Sequence, residues 1–182
     1  MARRVSATLL KRARQIQVLL MDVDGTLSRG VCLLSQADGT AMELKIFDPR
    51  DGLGMNLARV AGLHTGVITG RESAALTQRA KEMNLEYVYQ KQPTKVPAYE
   101  EILKRAGVAD SAVAYLGDDL PDLPVMQRVG LALAVADAVA EVRGAAHYVT
   151  RARGGEGAAR EAVELILKAQ GKWKGAVGKA RA

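Results

Sequence analysis

Polar side chains with phosphate and metal chemistry stand directly behind three short apolar runs of this sequence. Asp22 and Asp24 follow the run at 16–21, Thr69 and Gly70 follow the run at 64–68, and Asp118 and Asp119 follow the run through Leu116. Asp22 and Asp24 are two residues apart, so in extended backbone both carboxylates project to the same side. Held that close, and joined by Asp118, they repel one another at neutral pH. Either a proton or a cation must neutralise the group. Oxygen ligands of this kind suit a hard ion such as Mg²⁺, which keeps several waters and takes its other ligands from carboxylates and phosphate. Only two histidines, His64 and His147, and a single cysteine, Cys32, are present, too few for an ordinary zinc site.

The elements that must position these residues follow from the apolar pattern. Residues 16–21 form a short, dense apolar run, as expected for a strand buried on both faces. Two β-prone runs at 31–35 and 41–47 flank Asp38 and Gly39, and this reads as a hairpin. A short basic helix at 6–14 precedes the first strand. Helical patterns at 52–61, 71–83, within 93–106, at 137–143 and at 156–170 alternate with strands at 64–69, 86–89, 112–116, 131–135 and 147–150. Such alternation predicts an α/β fold with a mainly parallel, doubly wound (Rossmann-like) sheet. In an open sheet of this kind the carboxyl ends of the strands converge on the ligand crevice. Three strand ends can therefore deliver carboxylates and a hydroxyl to one place.

Length and composition fit this picture. The 182 residues, 48% apolar and 25% charged, suit one compact domain, here 1–171, followed by a basic flexible tail at 172–182. Aromatics make up only 4%, which disfavours a stacking platform for bases. The net charge of +6 gathers at the two ends, in Arg3, Arg4, Lys11, Arg12 and Arg14 and in Lys172, Lys174, Lys179 and Arg181. We read these as solvated tails rather than a nucleic-acid surface. No apolar run approaches the roughly 20 residues that span a bilayer. A lone Cys32, read as a small buried hydrophobe, fits a reducing cytoplasm. The Gly154, Gly155, Glu156, Gly157 cluster lacks a nucleotide-binding fingerprint and is read as a helix N-terminus or loop, where backbone N–H groups could meet an anion.

DVDGTL at 22–27, ITGR at 68–71, Lys95 and GDDLPD at 117–122 together resemble the four ordered motifs of the haloacid dehalogenase superfamily of phosphatases. The resemblance implies that Asp22 attacks phosphorus and that Asp24 is general acid and then general base. It further implies Mg²⁺ held by Asp22, Asp118 and the backbone carbonyl of Asp24, with Thr69, Gly70 and Lys95 binding the phosphoryl group. Asp119 would orient Lys95 or a metal-bound water, or simply cap the next helix, and Asp122 would support the site from behind.

The segments between these motifs hold only a hairpin and helices, so there is no cap domain. FDPRDGLG at 47–54 and TRARGGEGAARE at 150–161 are similar to the 3-deoxy-D-manno-octulosonate 8-phosphate phosphatase family. That resemblance implies a homotetramer whose hairpins, 31–47, form a central barrel, with neighbouring subunits shaping each site. It would place Arg50, Asp51, Gly52 and Arg71 at the sugar-acid end of the substrate, with Arg151, Arg153, Gly154 and Gly155 on a segment that approaches it. Departures lie in YQKQPTK at 89–95, in Pro49 and in the basic C-terminus. Relatives of that subgroup also act on nine-carbon sugar acids or serve a phenylphosphate-carboxylating complex.

Overall fold

The computed structural model describes residues 6–35 and 41–180, so the expected hairpin turn at 36–40 and Arg3, Arg4 and Arg181 lie outside the described residues. In chain order the elements are α1 (Ala7–Arg14), β1 (Val18–Met21), β2 (Ser28–Ser35), β3 (Ala41–Phe47), α2 (Pro49–Val60), β4 (His64–Ile68), α3 (Ala74–Glu82) and β5 (Tyr87–Tyr89). They continue as α4 (Val96–Ala106), β6 (Val113–Gly117), α5 (Leu123–Met126), β7 (Leu131–Ala134), α6 (Ala140–Ala145), β8 (Tyr148–Val149), α7 (Ala158–Ala169) and α8 (Trp173–Lys179).

Six strands form one parallel sheet in the order β5-β4-β1-β6-β7-β8. β1 lies inside it, with Met21 level with Val67 of β4 and Leu116 of β6. From β1 the chain builds outward to one edge and then returns to build the other, so the reversal of strand order falls beside β1. Ligand crevices form at that position in open α/β sheets. All four residues of β1 are fully buried, as the unbroken apolar run requires.

Local chemistry sets the helix starts. α2 begins at Pro49 rather than at 52, because Asp48 accepts a hydrogen bond from the Arg50 N–H and Pro49 fits the first turn. α3 waits until Ala74 because the Ser73 side chain caps it through the Leu76 N–H. The basic N-terminal helix is docked rather than solvated. Arg12 donates to the Gly130 carbonyl at 2.8 Å and Arg14 to the Ala169 carbonyl at 3.2 Å.

Past Gly171 the chain forms α8 where a flexible tail was expected. Trp173 lies beneath the Arg160 guanidinium and the Lys168 ammonium, at 5.0 and 5.2 Å, and Ala176 is buried. Aromatic area and two cation–π contacts anchor this turn of chain, a signal that its Gly- and Lys-rich composition hides.

β2 and β3 form a separate two-stranded antiparallel ribbon. Cys32, expected in the core, is exposed on it, because it stands opposite the exposed Leu44 on the ribbon face turned away from the domain. Among the described residues no helix is long and apolar enough to cross a membrane.

Candidate active site

Asp22 leaves β1 with its backbone N–H on the Leu116 carbonyl of β6, at 3.0 Å, which ties the first acidic residue to the strand that carries Asp118. Lys95 enters from the start of α4, and its ammonium donates to Oδ1 of Asp22 and, at 2.6 Å, to Oδ1 of Asp122. Asp122 also accepts from the Tyr115 hydroxyl at 2.8 Å and from the N–H groups of Asp118 and Asp119 at 2.9 and 3.2 Å. Orienting Lys95 is thus the work of Asp122. Asp119 instead caps the short turn at 120–122 through the Leu120 N–H, at 2.7 Å. Asp22, Lys95 and Asp122 are all buried.

Asp118 is held by the Thr26 hydroxyl, which donates to its Oδ1 at 2.8 Å. Gly25, with φ +94°, makes this approach possible. A Cβ there would stand 2.2 Å from Asp118 Oδ2. The second glycine of the loop's surroundings, Gly154, is required for the same reason, since its Cβ would fall 1.6 Å from the Gly25 carbonyl oxygen. The Gly155 N–H then donates to the Thr26 carbonyl at 2.8 Å, so the late glycine segment braces the loop that carries Asp22 and Asp24.

The crowding of carboxylates shows in their acidity. Burial pushes the Asp22 carboxyl up to about 6, Asp122 adding to the rise and Lys95 opposing it. Asp118 is pushed up to about 7, mainly by burial and then by the neighbouring Asp22 and Asp122 charges, against the Thr26 hydrogen bond. Burial works against the Lys95 charge, but Asp22 and Asp122 outweigh it and raise its pKa. One carboxylate oxygen each of Asp22, Asp118 and Asp122 lies within 4.8 Å of the others. Asp122 already serves four donors, so Asp22 and Asp118 are the two with capacity to hold a hard cation. Their raised pKa values record the cost of gathering these charges, which such a cation would remove. The family resemblance offers the metal only the backbone carbonyl of Asp24, and the Asp24 carboxylate is not a member of this cluster. It pairs with Lys45 and lies 3.8 Å from Arg71.

Asp22, Asp24, Thr69, Arg71, Lys95 and Asp118 line one cleft of about 230 Å³, with Gly70 at its wall. The Thr69 hydroxyl accepts from the Arg71 N–H at 3.3 Å. A larger, shallower hollow of about 810 Å³ lies between β3, α2 and α3, but it gathers no carboxylate cluster.

Other sequence candidates are not brought to this cleft within the chain. Arg50 pairs with Asp48 at 2.6 Å and donates to the Glu156 carbonyl at 2.7 Å. Asp51 is fully buried and accepts from the N–H groups of Gly157 and Arg160, at 3.2 and 2.7 Å, so the anion at the start of α7 is this chain's own carboxylate. Burial lifts the Asp51 pKa to about 6 against those two donors. Gly52 gives room to the Arg79 guanidinium, 2.7 Å from where a Cβ would stand. Arg151 and Arg153 pair with Glu161 and Asp137. Thr26, Tyr115 and Lys45 were not singled out by sequence. Only the alternation of β3, which turns Lys45 inward, could have signalled the last.

A family model described as haloacid dehalogenase-like hydrolase matches residues 60–161, more than half of the chain. The chain belongs to this family, and it is a phosphatase. The 3-deoxy-D-manno-octulosonate 8-phosphate phosphatase of Escherichia coli K12 is 41% identical over 174 residues, which cover 96% of this chain and 91% of that protein. The crystal structure of the enzyme of that name from Yersinia pestis superposes with a TM-score of 0.89 at 43% identity, covering 94% of this chain and 91% of that one. The Moraxella catarrhalis enzyme, solved in complex with magnesium ion, phosphate ion and KDO, gives 0.87 at 37% identity over 94% of this chain and 97% of that one.

Proposed function

We propose that this chain hydrolyses the phosphomonoester of a small sugar acid of the 3-deoxy-D-manno-octulosonate 8-phosphate type, through an aspartyl-phosphate on Asp22. The observation that carries the reading is the contact of buried Lys95 with Asp22 at the head of a cleft that also gathers Asp24, Thr69 and Asp118. Relatives with the same fold act on that phosphate, and one was solved with magnesium, phosphate and the sugar acid. Mg²⁺ held by Asp22 and Asp118 would supply charge neutralisation for the phosphoryl oxygens.

An Asp22 oxygen attacks phosphorus as the bond from phosphorus to the sugar oxygen breaks, and Asp24 gives that oxygen a proton. Water then attacks the aspartyl-phosphate, Asp24 takes back a proton, and inorganic phosphate leaves. Lys95, fixed by Asp122, and the Thr69 hydroxyl with the Gly70 N–H bind the phosphoryl oxygens throughout. Arg71 reaches toward the sugar-acid carboxylate, with Arg50 and the arginines at 151 and 153 offered to a neighbouring copy's site.

The same reading makes the protein a cytoplasmic homotetramer in lipopolysaccharide precursor synthesis. Leu33, Leu34, Met42, Leu44 and Ile46 support the assembly, since all five are exposed on the ribbon. The test is phosphate release from a panel of sugar-acid, sugar and aryl phosphates with Mg²⁺ or with chelator. Selective, Mg²⁺-dependent turnover of an eight-carbon sugar-acid phosphate is expected. Preference for a nine-carbon acid or for phenylphosphate would move the substrate, and no turnover of any phosphate would remove the reading.

A further inference from the structure

β3 has two faces. Met42, Leu44 and Ile46 point away from the domain, whereas Glu43, Lys45 and Phe47 point into it, as the two-residue period of a strand requires. Each inward side chain reaches a different part of the molecule. Phe47 packs on the core, with the Arg79 guanidinium 5.9 Å from its ring. Glu43 accepts a hydrogen bond from Ser73, the cap of α3 that closes the Thr69, Gly70, Arg71 loop. Lys45 carries its ammonium to Asp24 Oδ1 and lies 4.0 Å from Glu43 Oε1.

The Lys45 side chain is 1% exposed, so its charge has left water for these partners. Burying an ammonium is costly unless it is paired and hydrogen-bonded. The Ser28 hydroxyl approaches the same Asp24 oxygen at 3.3 Å. The other oxygen, Oδ2, is buried, makes no hydrogen bond, and has Arg71 Nε at 3.8 Å. One oxygen is therefore clamped from the hairpin side, and the other is left with its acceptor capacity unused beside the cleft.

We propose that Lys45 is a positioning residue for Asp24: by holding Oδ1 it fixes the carboxyl plane and presents Oδ2 for proton exchange with the leaving oxygen. The inference rests on the assignment of Asp24 as the acid–base group. It makes the hairpin part of the catalytic apparatus of its own subunit as well as an outward surface. Lys45 does not line the cleft that gathers Asp22, Thr69 and Lys95. Its loss acts only through Asp24.

The leaving group separates this role from general support. An alkoxide leaving from an alkyl phosphate needs the proton from Asp24, whereas p-nitrophenolate is acidic enough to leave without it. The ratio kcat/KM reports only the steps through departure of the leaving group, so hydrolysis of the phosphoenzyme does not enter it. The experiment measures kcat/KM of wild type, Lys45→Met and Lys45→Gln on the sugar-acid phosphate and on p-nitrophenyl phosphate in saturating Mg²⁺, with Tm recorded for each. Lys45→Gln keeps a donor and guards against a methionine variant that fails to fold. Expected is a loss of roughly 10–100-fold on the alkyl ester, the scale of an outer supporting partner, with less than about threefold lost on the aryl ester. Equal losses on both substrates, or none on the alkyl ester, would overturn the proposal while leaving the phosphatase reading intact. A wild-type protein inert toward both would instead remove the reading on which it rests.

Discussion

The acidic centre and the β2–β3 ribbon are built on opposite physical terms. The centre hangs from β1, whose four residues are fully buried and flanked by β4 and β6. Each such side chain contributes roughly 1.5–3 kcal/mol on burial, so the position of Asp22 is determined by the sheet before any chemistry is asked of it. The ribbon stands apart from the six-stranded sheet, joined among the described residues to the first loop by a single β-bridge from Ser28 to Asp24, and leaves five large apolar side chains exposed. Precise chemistry is carried where burial on both faces over-determines the backbone. A surface that needs a partner is carried where nothing in the same chain covers it.

Substitutions at the two regions sharpen the contrast. Asp22→Asn should lower turnover by about 10⁴-fold or more, near 5.5 kcal/mol in the barrier, while fold and assembly stay unchanged. Substantial retained turnover in a phosphate-release assay would take the nucleophile away from Asp22. Next in size is Asp122→Ala, which takes one of two carboxylate partners from Lys95 and the carboxylate acceptor from Tyr115 and two backbone N–H groups. We expect about 3–5 kcal/mol less stability in urea and a roughly 10–100-fold drop in turnover. A stable variant would show that the centre is less tightly determined than its burial implies.

Proton linkage gives the third effect. Asp22 and Asp118 bind protons more tightly in the folded chain, with values of about 6 and about 7 against an ordinary 3.8. Without a cation, stability from these groups is therefore lost as pH rises from about 4 to about 7. A cation must displace the protons, so Mg²⁺ affinity should rise with pH through 6 to 7, by up to about tenfold per unit for each proton displaced, and level off above. Calorimetry in buffers of different ionisation enthalpy should detect proton release at pH 6 and little at pH 8.5. Release that does not change with pH would contradict the acidities assigned.

Asp51→Ala should cost about 1–3 kcal/mol, because two N–H groups at the start of α7 lose their acceptor. If Asp51 acts only as that cap, KM stays unchanged, and a raised KM would return it to the sugar-acid end of the site. The smallest effect on the fold belongs to the ribbon. Leu44→Glu, on an exposed outward position, should change the stability of the subunit by about 0.5 kcal/mol or less. The same variant should lower the assembly state in sedimentation. A tetramer that persists would break the division of labour between the two regions.

Much of this protein was legible along the chain because its signals are local. Short apolar runs ending in Asp22, Thr69 and Asp118 announce parallel strands and the residues at their carboxyl ends. The helix caps at Asp48 and Ser73 are just as local, yet apolar periodicity alone starts those helices at 52 and 71 and passes over them. What only the tertiary structure decided joins distant positions. Asp122 rather than Asp119 meets Lys95, Asp51 serves α7 across 106 residues, and Trp173 turns an apparent tail into a helix. The inward turn of Lys45 toward Asp24 was latent in the alternation of β3, but the partner was not. A sequence records which side chains can pair, while the choice among partners is made by burial, which brings two charged groups together only where the folded chain has removed the water between them.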